Sequence, residues 1–169
     1  MVQVLTSSVG SFEMKGACIR PSTVIQSFVM QPVNLTRILL GGLLCGLIIN
    51  IGEAALNAGV LASQWAELNK AMNKPADFST NQILLFNVWG FIAGIVAVWT
   101  YAAIRPGCGA GPKTAISAGV LTWVTAWVLG SAGFVITGWM PVGMWAFASA
   151  WGLVEVVLAT LAGAWVYRD

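Results

Sequence analysis

The sequence predicts an all-α membrane protein, an antiparallel bundle of four transmembrane helices. Three observations predict it. Only 8% of the residues are charged and 58% are hydrophobic, with a mean hydropathy of +0.82. A soluble domain carries about 25% charged residues, so this chain could not cover its own surface with polar side chains. The apolar runs are long enough for helical spans of ~20 residues and do not alternate, whereas barrel strands would read as alternating segments of ~10 residues. Finally, residues 114–154 carry no charge, which is too long for one span, and Gly138-Trp139-Met140-Pro141-Val142-Gly143 supplies turn chemistry that divides them into two.

Residues 1–34 are weakly patterned and hold Lys15 and Arg20. They contain no continuous apolar core before a small-residue cleavage site, so no signal peptide is expected. They read either as a partly disordered cytoplasmic tail or as an over-extended start, with Met30 as the alternative beginning. The transmembrane domain is expected over 35–169.

The first span is expected over 35–62. From Arg37 to Glu67 a helix would be about 45 Å long, beyond the ~30 Å hydrocarbon core, so it must tilt or project. The piece Gln64 to Lys74 places Trp65, Leu68 and Met72 on one side and Glu67, Lys70 and Lys74 elsewhere, an amphipathic extension at the interface that Pro75 ends. Ser79-Thr80-Asn81-Gln82 is a capping box opening the second span, expected over 81–104 and closed by Arg105 and Pro106. The third and fourth spans are expected over 114–137 and 141–167.

Lys15, Arg20, Arg37, Arg105, Lys113 and Arg168 fall on one side, against Lys70 and Lys74 on the other. The positive-inside rule then puts both termini in the cytoplasm of a bacterial inner membrane. Trp99, Tyr101, Trp165 and Tyr167 would anchor the inner interface, with Trp65, Trp139 and Trp145 at the outer one. The second span reads Trp89-Gly90 then Trp99-Thr100-Tyr101, and the fourth reads Trp151-Gly152 then Trp165-Val166-Tyr167. This echo is either the trace of two related helical hairpins or a recurrence of interface aromatics.

Helices in lipid associate through close backbone approach and hydrogen bonds, and each span offers a small or polar stripe at helical spacing. In the first span Gly42, Gly46, Asn50, Glu53 and Asn57 share an arc of about 80° at 100° per residue. The second offers Asn87, Gly90, Gly94, Ala97 and Tyr101; the third Gly119, Thr122, Ala126, Gly130, Gly133 and Thr137; the fourth Ala148, Gly152, Glu155, Ala159 and Ala162. The bulky faces, with Val96, Trp127 and Val157, should then meet lipid or a partner chain.

Glu53 and Glu155 are the only ionisable groups deep in the spans. A carboxylate at this depth costs ~2.5–3.5 kcal/mol on insertion scales, so both should face inward. No Lys, Arg or His shares their depth, and at least one is expected to hold its proton at neutral pH. Glu53 and Glu155, with Asn50, Asn57 and Asn87 as neutral ligands, read either as a proton or cation site or as fastenings between helices. The second reading makes this a structural or accessory membrane protein and is slightly favoured, because four short helices leave little room for a pathway.

The rest of the inventory is thin. There is no histidine, which removes the commonest metal ligand and the commonest general base near neutral pH. No cofactor, metal or catalytic residue is expected, and without a Ser–His, Cys–His or metal constellation neither is hydrolytic chemistry. The net charge of +2 with no basic cluster gives no reason to expect nucleic acid as a partner. Membrane lipids are the expected surroundings, with self-association or a place in a larger assembly. Cys18, Cys45 and Cys108 lack local spacing and would face the cytoplasm or the bilayer, so no structural disulfide is expected. The loop Gly107–Thr114 has Pro112 where a phosphate-binding loop needs Gly, and reads as a tight interhelical turn. Trp89, Trp123, Trp127 and Trp151 lie deeper than interface anchors, and lipid-facing packing is favoured over a cage for a lipophilic ligand.

The phrases ILLGGLLCGLIINIGEAALN, LFNVWGFIAGIVAVWTYAAIRP, GPKTAISAG and WGLVEVVLATLAGAWVYRD resemble small uncharacterised bacterial four-helix membrane proteins over residues 35–169. That resemblance implies membrane location and four-helix architecture and carries no activity.

Overall fold

The computed structural model describes residues 33–167. The readings made for the tail, for Lys15, Arg20 and Arg168, and for Cys18 lie outside these residues. Four helical stretches in the described chain are long and apolar enough to cross a membrane: Leu35–Val60, Thr80–Cys108, Pro112–Ile136 and Val142–Val166. The chain is an all-α, multi-pass membrane protein.

Helix α1 (Leu35–Ala54) starts where Asn34 Oδ1 accepts the Arg37 backbone N–H at 3.1 Å, so a side-chain amide supplies the N-cap. Its α-pattern gives way to a π segment, Ala55–Val60, and Leu61 then breaks the direction before α2 (Ala62–Ala71). Trp65 and Leu68 are half-buried while Glu67 and Lys70 are exposed, as expected of an interfacial helix. Its end comes earlier than Pro75: Asn73 adopts φ 55°, and Lys74 N donates to Asn69 O at 2.8 Å. A left-handed Asn stops the helix before the proline can.

Helix α3 (Thr80–Cys108) opens on the capping box, with Ser79 N donating to Gln82 Oε1 at 2.8 Å. It runs through Pro106 and stops at Gly109, φ 83°. The missing proline N–H thus costs one bond in the last turn rather than ending the helix. Helix α4 (Pro112–Trp123) begins with Pro112 in its first turn, and Thr114 Oγ1 donates to Gly109 O at 2.7 Å, so the Gly-rich loop is an interhelical turn. A second π segment, Val124–Leu129, joins α4 to α5 (Gly130–Ile136). After the turn at Gly138 (φ 75°), α6 (Val142–Val166) completes the bundle.

The helices form a ring in chain order. α1 packs on α3 and α6, α4 packs on the same two, and α3 meets α6 across the middle. The stripes decide the packing. A Cβ on Gly42 would stand 2.6 Å from Ile95 Cα, and one on Gly46 2.7 Å from Phe91 Cα, so α1 and α3 touch backbone to backbone. Around this seam Ile38, Cys45, Ile49, Val98 and Val156 are sealed from solvent, and Tyr101 meets Tyr167 edge to face at 6.0 Å below it. The other end is looser. A smaller cluster of Leu56, Leu61 and Met144 lies there, and residues 80–89 of α3 are exposed at every position.

Two expectations about faces need correcting. Trp127 is buried at 8% exposure rather than facing lipid, while Gly130, Gly133 and Thr137 are exposed rather than buried. The π segment is the reason. Its i→i+5 turn takes up an extra residue, which rotates everything beyond it by ~100° relative to an uninterrupted helix. Val157 is half-buried, with its Cα against Gly119, whereas Val96 is exposed as expected. The cysteines also differ. Cys45 is free and buried, but Cys108 is disulfide-bonded. Local spacing excludes only local pairs; a bond between distant cysteines is set by the fold.

Candidate functional site

The polar residues of α1 gather where its α-pattern ends. The wider π turn loosens carbonyls near the switch, and Asn57 Nδ2 donates to one of them, Glu53 O, at 2.9 Å. The same amide donates to Glu53 Oε2 at 2.6 Å. Trp65 of α2 completes the chain by donating Nε1–H to Asn57 Oδ1 at 2.9 Å.

Across the bundle, Trp127 Nε1 donates to Glu53 Oε1 at 2.7 Å. The third span's π segment turns this indole inward, and Gly152 of α6 makes room for it: a Cβ there would lie 2.6 Å from Trp127 Cδ1. Trp89 of α3 stands edge-on to the same ring at 4.9 Å between centroids. Both Glu53 oxygens therefore accept N–H donors, one from its own helix and one from the third span. Ser131 extends the arrangement outward: its hydroxyl donates to Trp127 O and accepts from Trp145 Nε1 at 2.9 Å.

Glu155 is held differently. It is 8% exposed, and its carboxyl rests on Gly52, where a Cβ would meet Glu155 Cγ at 2.9 Å. Gly52 is chain neighbour to Glu53, so the contact brings the Glu155 carboxyl to the stretch of α1 that carries the first acid. One oxygen, Oε2, accepts from Trp151 Nε1 at 2.8 Å, a bond one turn back along the same helix. The other oxygen, Oε1, is buried with no hydrogen-bond partner among the described residues.

Of the residues named from sequence, Glu53, Asn57 and Glu155 thus belong to one locus. Asn50 is a turn away. Its Nδ2 donates to Asn87 O at 3.1 Å and its side chain fills the space over Gly90, which ties α1 to α3. Asn87 offers only its backbone to this contact, its exposed amide donating to Ile83 O of its own helix at 2.8 Å. Trp127, Trp151 and Trp65 are the site residues that sequence reasoning missed. Their indoles bond carboxylates and an amide, whereas the deep tryptophans were expected to pack against lipid. Trp123 also bonds inward, donating to Ser149 O at 2.8 Å.

The basic residues of the described chain stand away from the pair. Arg37 begins α1, about 24 Å from Glu53 at 1.5 Å per residue, Arg105 ends α3, Lys113 begins α4, and Lys70 and Lys74 belong to α2 and its loop. The described residues include no group of three His, Cys, Asp or Glu that could hold a metal ion. No protein-family model, curated protein or solved structure matches the chain.

Proposed function

We propose that this protein binds and releases a proton at the Glu53–Glu155 pair inside the bilayer, and that it serves proton-linked transport. The two acids divide the work. Glu53 fastens the first span to the third, and both of its oxygens are already engaged by N–H donors. Glu155 makes no hydrogen bond to another helix among the described residues, since its Oε2 accepts from Trp151 of its own helix.

The single observation that carries this reading is the buried, unpartnered Oε1 of Glu155, whose carboxyl lies against Gly52, the chain neighbour of Glu53. An unpaired carboxylate buried out of water costs far more than the neutral acid, so the group takes up a proton instead. Like charges close together oppose double ionisation, so one proton is shared by the pair. A proton also fits better than a metal cation. The indole and amide N–H groups that point at Glu53 take up about half of its acceptor sites, and two carboxylates make a small ligand set for a cation.

The structural or accessory reading keeps one observation in its favour, the satisfied Glu53, whose role is fastening on either account. Flux separates the two. In proteoliposomes under an imposed pH gradient, the wild type should collapse the gradient and Glu155→Gln should not. Equal, background rates for both proteins, with stable co-purification in a larger complex, would favour the accessory role.

The setting we propose is a bacterial inner membrane, on the resemblance of residues 35–169, with both termini cytoplasmic on the distribution of Lys and Arg. Reporter fusions at residue 110 and within 73–78 would decide.

A further inference from the structure

We infer that the acid pair is reached from one side of the bundle only, through a cavity beneath α2, with Leu61 and Met144 as the gate. This rests on the reading of Glu155 as the exchanging acid.

A cavity of about 480 Å³ opens between α2 and the start of α6, lined by Leu61, Gln64, Glu67, Met144 and Phe147 among others. Gln64 and Glu67 are exposed and give its mouth polar character, while Leu61 and Met144, 3% and 8% exposed, form its inner wall. Behind that wall lies the polar layer. Asn57 precedes Leu61 by one helical turn and bonds Glu53, and Trp65, next to Gln64, donates to Asn57. Along α6, Met144, Ala148, Gly152 and Glu155 follow one another at one-turn steps on one face. One layer of side chains therefore separates the cavity from the acids' hydrogen-bond partners.

In the other direction the described residues are closely packed. From Glu53 toward Arg37 the core is Ile49, Cys45 and Ile38 on α1, closed by Val98 and Val156, all at most 2% exposed. A Cβ on Gly41 would touch Gly163 O at 2.5 Å, so no space remains between α1 and α6. Thr160, a buried hydroxyl of this region, donates to Val156 O of its own helix at 2.7 Å and reaches only the Cys45 thiol, itself sealed from solvent.

The chain between acid and gate is also the most pliable part of the span. The π segment Ala55–Val60 lies between Glu53 and Leu61, and π turns are places where a helix changes pitch with few bonds to break. A small rearrangement there would draw Leu61 and α2 off the α6 wall and admit water to Asn57. The seam offers no such freedom, because its contacts are backbone on backbone.

The test is thiol labelling of the full chain in sealed membranes, with a membrane-impermeant maleimide added to each side in turn and the sites mapped by mass spectrometry. Asn57→Cys and Ala148→Cys should label from the α2 side and not from the other, and native Cys45 should label from neither. Adding Leu61→Ala should raise the rate at Ala148→Cys about tenfold, as loosening a packed layer lowers the cost of local opening. Ala148→Cys disturbs none of the hydrogen bonds, so it carries the test should Asn57→Cys fail to fold. Labelling from the opposite side, reaction at Cys45 as fast as at Ala148→Cys, or no response to Leu61→Ala would overturn the inference. Thiol labelling reports solvent access and not protonation, so its failure would leave the flux result standing, and the reverse.

Discussion

The second and fourth spans run as unbroken α-helices of 29 and 25 residues, whereas the first and third each lose the α-pattern to a six-residue π segment. The unbroken pair supply surfaces. Gly90 and Gly94 on α3, and Gly152 and Gly163 on α6, stay on one face and let neighbours approach. The interrupted pair supply most of the site's hydrogen-bonding groups, Glu53 and Asn57 from one and Trp127 from the other, while the second acid, Glu155, stands on unbroken α6 against Gly52. Each hairpin repeats the division: Asn50 of the first span sits over Gly90 of the second, and Trp127 of the third sits over Gly152 of the fourth. Regular helices make a scaffold whose small residues can be counted at fixed spacing. The two π segments carry Asn57 and Trp127, the groups that bond Glu53, so the departures from regularity coincide with that half of the candidate site.

If that division holds, the largest effect should come from the scaffold. A Cβ on Gly94 would press into α1 backbone, 2.6 Å from both Gly42 O and Gly46 Cα. Gly94→Ala should therefore cost about 3 kcal/mol or more of stability, read from unfolding in mixed detergent micelles, because neither backbone can give way. Trp127→Phe comes next. It keeps the aromatic ring but removes the donor to Glu53 Oε1, and should cost ~1–2 kcal/mol, the upper range for a hydrogen bond between membrane helices. Smallest is Gly133→Ala, beyond the third span's π segment, where nothing lies within 4 Å of an added Cβ. It should be neutral or stabilise by up to ~1 kcal/mol, since Ala favours the helix and meets no neighbour. Comparable losses at Gly94 and Gly133 would mean that the third span is not rotated and that its sequence stripe packs inward after all.

The same division explains what could be read from sequence. The number of spans, the capping box at Ser79 and Gln82 and the interfacial α2 follow from composition and local chemistry, which tertiary packing does not alter. The stripes of α3 and α6 were legible from Gly90 to Tyr101 and from Gly152 to Ala159, because a 3.6-residue period extrapolates along an unbroken helix. In the third span Gly119 and Thr122 are buried as expected, and the pattern fails only after Val124, where the period changes. No residue there announces a π turn. The nearest signal is hydroxyls bonding back along the helix, Thr125 to Leu121 O at 2.9 Å and Ser131 to Trp127 O, a habit that loosens and bends helices. The carboxylates could be named from their cost in lipid. Their indole donors could not, because Trp127 reaches Glu53 only through that change of register.

The central claim is that Glu155, with its unpartnered oxygen, carries the exchangeable proton, while Glu53 is held by its donors as a fastening. Infrared spectroscopy of the protein in lipid at neutral pH tests it most directly, through the C=O stretch of a protonated carboxyl. The account predicts such a band, sensitive to deuterium exchange, retained in Glu67→Gln and lost in Glu155→Gln. A spectrum without that band, or a band that survives Glu155→Gln and disappears in Glu53→Gln, would contradict it.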